Sequence, residues 1–419
     1  MDTVSYQDAW TFLDQLQFFK IKLGLDSMNR FLESLANPHR TFPAVHIGGT
    51  NGKGSVGVTM LTILSEAGYT AGLYTSPHLS SVRERFRIGD AYITKDEFAA
   101  LAERIIRILE GRQITYFEFT TALAMLWFAE RRVDIALLEV GLGGRLDATN
   151  VITPLVSVIT NVSMDHQQHL GSTIGEVAAE KAGIIKPGIP VVSGIDNEQA
   201  LEVIAAAAAR HDCPLYLMGR VFTGRADAGD SRRWTYRGIG LPASGQSIVY
   251  PGLPMAMKGA YQVGNSALAL AGLEVIGDRF PAGEEEIRRG LQRVAWPGRL
   301  EEFRLNGDPS LHFLLDGAHN ADGAKALHAS LVRDFSYRRL ILIWASMADK
   351  DIRSALMEIA PLADSIIFTR PEAERSAIPE QMAALLSEEQ ARRAHCRPSV
   401  EEALALAREQ YRPGDMICI

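Results

Sequence analysis

Short apolar runs alternate with longer stretches of helical spacing along most of the chain. From residue 44 onward, five such runs predict strands: Ala44–Ile47, Ala71–Tyr74, Ile135–Val140, Leu155–Thr160 and Pro190–Val192. Apolar strands that alternate with helices are typical of a parallel sheet covered on both faces. Thr94–Leu109, which opens on the capping box Thr94-Lys95-Asp96-Glu97, predicts one of these helices. The pattern therefore predicts an α/β fold.

The alternation weakens over Val221–Pro254, which is rich in Gly, Arg, Asp and Ser and predicts a hairpin or an irregular insert. A helix is expected to follow at Gly264–Ile276. Trp296–Arg299 contains Pro and Gly and is a plausible boundary, so we expect domains at 1–295 and 296–419. The second, smaller domain repeats the α/β pattern with strands at His312–Leu315, Leu340–Trp344 and Ser365–Phe368.

The composition excludes several classes of protein. The chain has 419 residues, 47% of them apolar and 22% charged, with a formal net charge of −7, which argues against a protein that coats nucleic acid. No apolar stretch approaches a membrane span, and the first residues do not resemble a secretory signal. The three cysteines lie far apart without metal-ligand spacing. We expect a cytoplasmic protein with neither a nucleic-acid nor a membrane partner.

A glycine-rich segment, His46–Ser55, carries the strongest chemical signal. It follows a predicted strand and precedes a predicted helix, which is the setting of a P-loop. Its glycines let successive backbone N–H groups point at phosphate, Lys53 can reach the β- and γ-phosphates, and the Ser55 hydroxyl can bind Mg²⁺. The predicted ATP contacts are Gly49, Thr50, Asn51, Gly52, Lys53, Gly54 and Ser55.

The loop departs from the commonest P-loop, because Gly54 separates Lys53 from Ser55. The alternative interpretation is a glycine-rich turn without a ligand. A P-loop alone indicates nucleotide binding and leaves the reaction open.

Seven further segments appear in the order of a known family. They are Tyr74–Leu79, Leu138–Asn150, Ser163–His166, Glu180–Gly183, Gln262–Asn265, Trp296–Glu301 and Asp316–Asn320. Together with the loop, these segments resemble the folylpolyglutamate synthase and dihydrofolate synthase branch of the Mur ligase superfamily. Thr115–Phe119, with Asp147 nearby, resembles the bacterial bifunctional type of this branch.

The resemblance implies a P-loop ATPase-like N-terminal domain with a mostly parallel sheet and a smaller Rossmann-like C-terminal domain. It also implies a reaction in which ATP activates a carboxylate as an acyl phosphate, and L-glutamate then forms an amide with it. The acid would be dihydropteroate, the γ-carboxylate of a folate, or both. ATP, two Mg²⁺ ions and a monomeric protein are expected.

The resemblance assigns metal ligands, each with an alternative on chemical grounds. Ser55, Glu139 and His166 would hold Mg²⁺, together with Lys181 if its amine is carbamylated to N6-carboxylysine. Glu139 could instead be a solvated strand end, His166 a structural histidine, and Lys181 a surface lysine at a helix C-terminus. Lys53, His166, Lys181, Arg299, Asp316 and His319 are the expected catalytic residues.

The remaining expected contacts concern the substrates. Ser76, Pro77, His78, Phe117 and Asp147 would face the pterin acid, although Asp147 could be a turn residue. Arg83, Arg85 and Arg87 could attract an anionic folate or form a solvated face. Contacts to ATP and glutamate are expected from Gln262, Asn265, Arg299, Asp316, His319 and Asn320, although residues 316–320 alone are also a plausible turn.

Three rival functions remain at this point. A P-loop hydrolase or kinase would turn over nucleotide without glutamate, a non-catalytic nucleotide-binding protein would not need Glu139, His166 and Lys181 together, and another Mur-type ligase would use a different acid. The resemblance also implies that family members continue beyond Gly414–Ile419, which predicts the last strand, so the C-terminus could be shortened.

Overall fold

The computed structural model describes residues 5–16, 24–228, 230–240, 248–306, 310–371 and 376–419. The chain forms two compact units. The first unit comprises Met1–Val162, Thr173–Ala256 and Val263–Ala295, and the second comprises Ser163–Ser172, Met257–Gln262 and Trp296–Ile419. Two short segments therefore group with the C-terminal residues although they lie within the N-terminal sequence.

The helices and strands follow one another along the whole chain. The helices are α1 (Tyr6–Leu16), α2 (Asp26–Ser34), α3 (Lys53–Glu66), α4 (Lys95–Leu109), α5 (Tyr116–Glu130), α6 (Gln167–Leu170), α7 (Ile174–Ala182), α8 (Glu198–Arg210), α9 (Tyr261–Val275), α10 (Glu284–Arg293), α11 (Ala321–Asp334), α12 (Ile352–Ile359), α13 (Pro379–Ala383), α14 (Glu388–Ala391) and α15 (Val400–Gln410). The strands are β1 (Ala44–Gly48), β2 (Ala71–Tyr74), β3 (Phe86–Ile88), β4 (Ala91–Tyr92), β5 (Ile135–Glu139), β6 (Val156–Ile159), β7 (Val191–Ser193), β8 (Leu215–Leu217), β9 (Thr223–Asp227), β10 (Asp230–Arg237), β11 (Val249–Pro254), β12 (Glu301–Leu305), β13 (Leu311–Leu315), β14 (Leu340–Trp344), β15 (Ser365–Phe368), β16 (Ala394–Cys396) and β17 (Met416–Cys418). Among the described helices, none is both long and apolar enough to cross a lipid bilayer.

The first unit is built on one large sheet with the order β4-β3-β2-β5-β1-β6-β7-β8. The six strands from β2 to β8 in this order run parallel, and β3 and β4 add an antiparallel edge. β1, β2, β5, β6 and β7 are buried throughout, because helices cover both faces of a parallel sheet. The α/β prediction for this part of the chain is confirmed, and the predicted strands are found within one residue at each end.

The predicted capping box at the start of α4 is present. Thr94 accepts a hydrogen bond from the backbone N–H of Glu97, and the Glu97 carboxylate accepts one from the backbone N–H of Thr94. The same carboxylate also accepts hydrogen bonds from Trp127 Nε1 and Arg131 Nε, both at 2.8 Å. Glu97 therefore ties the start of α4 to the end of α5.

The segment predicted as a hairpin or irregular insert forms a small antiparallel sheet, β9-β10-β11, within the first unit. Residues 229 and 241–247 of this segment lie outside the described residues. Glu274 of α9 anchors the sheet, since its carboxylate accepts hydrogen bonds from Tyr236 Oη at 2.7 Å and from the Ile239 backbone N–H at 3.0 Å. The helix itself begins at Tyr261, three residues before the predicted start.

The second unit has a six-stranded sheet with the order β12-β13-β17-β14-β15-β16. Only the edge strand β12 runs antiparallel to its neighbour in this sheet, so the predicted Rossmann-like α/β pattern is confirmed. The C-terminal strand β17 lies between β13 and β14 and is fully buried. Beside it, the buried Asp415 carboxylate accepts hydrogen bonds from Arg339.

A buried histidine lies in the middle of the central strand of the first unit. His46 of β1 is 0% exposed, and its Nε2 lies 2.8 Å from Thr149 Oγ1. The Thr149 hydroxyl donates to Asp147 Oδ1 at 2.5 Å, so its oxygen accepts the hydrogen bond from His46. Burial, helped by the nearby Lys186 charge, lowers the pKa of His46 to about 3.

This pKa predicts an acid-sensitive fold. A histidine in the unfolded chain titrates near 6.5 and binds a proton that folded His46 does not take up until about pH 3. Stability is therefore lost as the pH falls from 6.5 towards 3. We expect His46→Gln, whose amide can still donate to Thr149, to flatten this loss by up to about 1.4 kcal/mol per pH unit. The measurement is the free energy of unfolding in urea between pH 7 and pH 5.

His169→Gln is the matched control, because His169 is exposed in the second unit, and it should keep the wild-type pH slope. A wild-type slope in His46→Gln would contradict the assignment of a neutral buried His46.

Candidate active site

The glycine-rich segment forms a tight loop between β1 and α3. Gly49 and Gly52 have φ angles of 135° and 86°, which L side chains rarely adopt. A Cβ atom on Gly49 would lie 1.9 Å from Thr160 Oγ1, and one on Gly52 would lie 2.4 Å from Asn265 Oδ1. Both positions therefore require glycine. The Asn265 side chain, expected to contact ATP, lies beside this loop.

Two residues that directly follow β6 hold the loop in place. Asn161 Oδ1 accepts hydrogen bonds from the backbone N–H groups of Thr50 at 3.2 Å and Asn51 at 2.8 Å. The Thr160 hydroxyl donates to the Asn51 carbonyl at 2.6 Å. Neither residue was assigned a role from the sequence. Their position at the carboxyl end of a parallel strand, next to the loop strand, is the signal that could have identified them.

Lys53 and Glu139 meet beside the loop. The Lys53 ammonium donates to the carbonyls of Gly49 at 3.2 Å and Thr50 at 3.0 Å, and it lies 4.0 Å from Glu139 Oε1. Glu139 Oε2 accepts a hydrogen bond from the Ser76 backbone N–H at 3.1 Å. Because Glu139 is 5% exposed, the alternative of a solvated strand end is wrong. The structure brings the lysine, the carboxylate and the Ser76 loop together.

Lys181 lies in the last turn of α7 and is 3% exposed, so the alternative of a surface lysine is wrong. The loop after β5 packs against this helix. A Cβ atom on Gly144 would lie 2.8 Å from the Glu180 carbonyl oxygen, and Arg145 forms an ion pair with the Glu180 carboxylate at 2.7 Å. The helix end that carries Lys181 is thereby fixed against the chain segment that follows Glu139.

The Asp147 carboxylate is buried, and each of its oxygens accepts two hydrogen bonds from its own loop. Its Oδ2 accepts the backbone N–H groups of Gly141 at 3.0 Å and Leu142 at 2.9 Å, and its Oδ1 accepts the N–H of Thr149 at 3.0 Å and the Thr149 hydroxyl. Burial raises the pKa of Asp147, although these four hydrogen bonds oppose the shift. The geometry favours the turn interpretation, in which Asp147 shapes the loop 141–149. Its expected contact with a pterin stays a prediction.

Two aromatic rings, the half-buried Phe117 and the buried Tyr74, lie near this loop. A Cβ atom on Gly141 would lie 2.4 Å from the Phe117 ring, and the ring centroids of Phe117 and Tyr74 are 5.9 Å apart. The cis peptide bond Ser76-Pro77 leads from β2 to His78. Phe117, at the start of α5, therefore lies against the loop that contains Gly141, which follows the end of β5.

His78, which is half-buried, pairs with the buried Arg85. Arg85 Nε donates to His78 Nδ1 at 2.9 Å, and burial together with this arginine lowers the pKa of His78 to about 4. Arg85 is 7% exposed, and its guanidinium lies 5.3 Å from the centre of the Tyr116 ring. Among the described residues, no carboxylate lies within ion-pair distance of Arg85. The alternative of a solvated face is therefore wrong for Arg85.

The other two arginines make local contacts. Arg83 Nε donates to the Ile93 carbonyl at 2.6 Å, and Arg87 Nη2 donates to the Gly89 carbonyl at 3.3 Å. The Arg87 guanidinium also lies 5.5 Å from the centre of the Tyr92 ring. These contacts stabilise the antiparallel edge of the sheet.

In the second unit, the Asp165 carboxylate lies next to four hydrogen-bond donors. Its carboxylate lies 2.6 Å from Lys350 Nζ, 3.1 Å from Asn320 Nδ2 and 3.4 Å from His319 Nε2, and it accepts the His166 backbone N–H at 2.8 Å. Burial would raise the pKa of Asp165, but the hydrogen bonds from His319 and Lys350 hold it well below its usual range. This cluster joins predicted residues to Lys350, which was not predicted.

Lys350 follows β14 in the polar run Asp349-Lys350-Asp351, again at the carboxyl end of a parallel strand. Its ammonium also donates to His166 Nε2 at 3.0 Å, so that nitrogen is an acceptor in this structure. Burial lowers the pKa of His166 to about 4, although Asp165 opposes the shift. His166 has a left-handed backbone, with φ 49° and ψ 41°.

Arg299 and Asp316 lie together at the start of the second sheet. Asp316 accepts the backbone N–H groups of Leu300 and Ala318, both at 2.9 Å, and burial raises its pKa. A Cβ atom on Gly317 would lie 2.1 Å from Arg299 Nη1, so the guanidinium passes directly over this glycine. Gln262 is fully buried in the same unit.

The predicted metal ligands are distributed over both units. Ser55, Glu139 and Lys181 belong to the first unit, and His166 belongs to the second. Within the described ranges, no three histidine, cysteine, aspartate or glutamate side chains lie together as a ready metal site.

Comparisons with known proteins agree with this architecture. Residues 47–272 match the model of the Mur ligase middle domain, and residues 298–419 match that of the Mur ligase glutamate ligase domain. The chain is 34% identical over 393 residues to the dihydrofolate synthase/folylpolyglutamate synthase of Bacillus subtilis, covering 90% of this chain and 88% of that protein.

Solved structures show the same similarity. The folylpolyglutamate synthase of Mycobacterium tuberculosis complexed with ADP superposes with a TM-score of 0.89 at 30% identity, covering 99% of this chain and 95% of that one. A bifunctional folylpolyglutamate synthase/dihydrofolate synthase with Mn, AMPPNP and L-glutamate bound superposes with a TM-score of 0.86 at 29% identity, covering 100% and 96%. The chain therefore belongs to the Mur ligase family and, within it, to the dihydrofolate synthases/folylpolyglutamate synthases, which are ATP-dependent glutamate ligases.

Proposed function

We propose that this chain joins L-glutamate to a pterin acid at the expense of ATP, with dihydropteroate, the γ-carboxylate of a reduced folate, or both as the acid. The observation that carries the proposal is the pairing of Lys53 with buried Glu139 beside the loop of the first unit. The similar structures that contain ADP, or AMPPNP with Mn and L-glutamate, support the same nucleotide and amino acid here.

The proposed reaction has two steps. A carboxylate oxygen of the acid attacks the γ-phosphorus of ATP, which releases ADP and forms an acyl phosphate. The uncharged amine of L-glutamate then attacks the acyl carbon, the bond from this carbon to the phosphate oxygen breaks, and the proton lost by the nitrogen leaves with the phosphate as the amide forms. In the first step, the backbone N–H groups at the start of α3 and the Lys53 ammonium would stabilise the phosphate charge.

The oxygen donors around the loop fit Mg²⁺. Ser55 and Glu139 are 3% and 5% exposed, and Mg²⁺ prefers hard oxygen ligands such as their hydroxyl and carboxylate groups. A bound Mg²⁺ would neutralise charge on the phosphates. Lys181 would contribute a further oxygen ligand if carbamylated, and the burial of its amine is compatible with that modification. The proposed role of His166 as a ligand rests on the family resemblance.

The Phe117 ring and the loop 141–149 are the proposed binding place for the pterin acid. The ring lies against Gly141 of this loop, and Asp147 holds the loop in shape through its four hydrogen bonds. Burying the Arg85 guanidinium without a carboxylate partner is costly, so an anionic group of the substrate is its natural partner. His78, held neutral, keeps the Arg85 side chain in position.

The second unit is the proposed place for L-glutamate. His319, Asn320 and Lys350 present hydrogen-bond donors around Asp165, and Arg299 lies beside Asp316. Such donors suit the two carboxylates of glutamate and the leaving phosphate. Asp165 orients these donors, because its carboxylate contacts the side chains of His319, Asn320 and Lys350.

The substrate assay separates this proposal from its rivals. Phosphate release from ATP is measured with L-glutamate and Mg²⁺ in the presence of dihydropteroate, of tetrahydrofolate or of neither acid. We expect release at least about tenfold above background only when L-glutamate and one of the acids are both present. Equal release without an acid would indicate a hydrolase. Release with neither pterin acid, but with another carboxylic acid, would indicate a different Mur-type ligase.

Glu139→Gln tests the residue that carries the proposal. The amide keeps the size of the side chain but removes its charge, so we expect kcat to fall by about 100-fold or more. The melting temperature should stay close to that of the wild type. Glu285→Gln is the matched control, because the Glu285 side chain is 84% exposed on α10. A kcat for Glu139→Gln within about twofold of the control would remove Glu139 from the site.

A further inference from the structure

We propose that Asn161 is a positioning residue that sets the conformation of the phosphate loop before nucleotide binds. The inference rests on the proposed function, since it concerns the nucleotide site of that reaction. It adds a residue that neither the family resemblance nor the comparisons with known proteins assign. Thr160, the preceding residue, is its partner in this role.

The contacts of Asn161 are directed at the loop backbone. Its carboxamide oxygen accepts two successive N–H groups, those of Thr50 and Asn51, and its backbone carbonyl accepts the Thr50 N–H as well, at 3.1 Å. One oxygen that binds two neighbouring N–H groups forces the backbone to curl around it. Asn161 therefore fixes the bend at the start of the loop.

Thr160 and Lys53 hold the carbonyl groups of the same residues. The Thr160 hydroxyl donates to the Asn51 carbonyl, and the Lys53 ammonium donates to the carbonyls of Gly49 and Thr50. The backbone N–H and carbonyl groups of Thr50 and of Asn51 are thus all hydrogen-bonded to the side chains of Asn161, Thr160 and Lys53. The close approach of Thr160 to Gly49 is possible only because Gly49 lacks a Cβ atom.

A loop that is already ordered loses less conformational freedom when nucleotide binds, which favours affinity. The chemistry of the side chain is also specific. A carboxamide accepts both hydrogen bonds without adding charge, whereas a carboxylate at this position would keep both acceptors and repel phosphate. Asparagine therefore orders the loop without weakening its attraction for anions.

Two variants separate the two parts of this argument. Asn161→Ala removes the side-chain acceptor, so we expect the ADP dissociation constant to rise about tenfold and the Asn51 amide to exchange faster with solvent, while the Thr50 amide keeps the backbone carbonyl of residue 161 as its acceptor. Asn161→Asp keeps the acceptor, so amide protection should persist while the ADP dissociation constant rises about 100-fold. Calorimetric titration of the full chain with ADP and amide hydrogen exchange without nucleotide are the measurements.

Asn197→Ala is the matched control, because Asn197 likewise accepts a backbone hydrogen bond, from Ala200 at 3.1 Å, at the start of α8 in the same unit. A purely structural role for Asn161 would lower the melting temperature of both alanine variants and leave their ADP binding similar. ADP affinity of Asn161→Ala within twofold of the control, or of Asn161→Asp within twofold of the wild type, would overturn the inference.

The titration also distinguishes this inference from the proposed function. A wild-type protein that binds ADP, responds to both Asn161 variants as expected and forms no glutamyl amide would support the positioning role and refute the proposed reaction. A wild-type protein that does not bind ADP would overturn both.

Discussion

The parallel alignment of β5, β1 and β6 is the constraint on which the nucleotide site depends. The register pairs Ile47 with Glu139 on one side of β1 and Gly48 with Ile159 on the other. All three strands end at the same edge of the sheet, so whatever follows them along the chain is brought together. The phosphate loop follows β1, and Glu139 is the last residue of β5. Thr160 and Asn161, which are hydrogen-bonded to the loop, follow β6.

The polar groups named at this edge have partners, and their residues are half-buried or buried. Lys53 neutralises part of the Glu139 charge, Ser76 donates to the same carboxylate, and the side chains after β6 satisfy the loop backbone. Buried polar groups need such partners, since leaving them unpaired costs stability. The second unit follows the same rule, because one aspartate there binds the lysine, histidine and asparagine side chains around it.

Strands and major helices could be predicted because burial on both faces leaves continuous apolar runs in the sequence, as in β1, β14 and β15. The small sheet β9-β10-β11 could be predicted only as a hairpin or insert, since polar residues and glycine dominate β9 and β10. The loop was visible because its glycines and lysine are adjacent in sequence. Asn161 and Lys350 were not, because their partners lie 110 and 185 residues away.

The sequence also did not predict which charged residues are buried or what they are hydrogen-bonded to. The burial of Glu139 and Lys181 decides against their surface interpretations, and only the fold shows it. Asp147 illustrates the reverse case, since a carboxylate that a family resemblance assigns to a ligand is saturated by four hydrogen bonds from its own loop. Position in a motif therefore predicts location more reliably than it predicts what a side chain contacts.

The transfer of oxygen from the acid to phosphate tests the central claim most directly. Dihydropteroate labelled with ¹⁸O in its carboxylate is converted with ATP, Mg²⁺ and L-glutamate, and the isotope content of the released phosphate is determined by mass spectrometry. Activation of the acid as an acyl phosphate predicts one labelled oxygen in each phosphate and the other in the new amide. Phosphate that forms together with the amide but carries no label would contradict the proposed reaction.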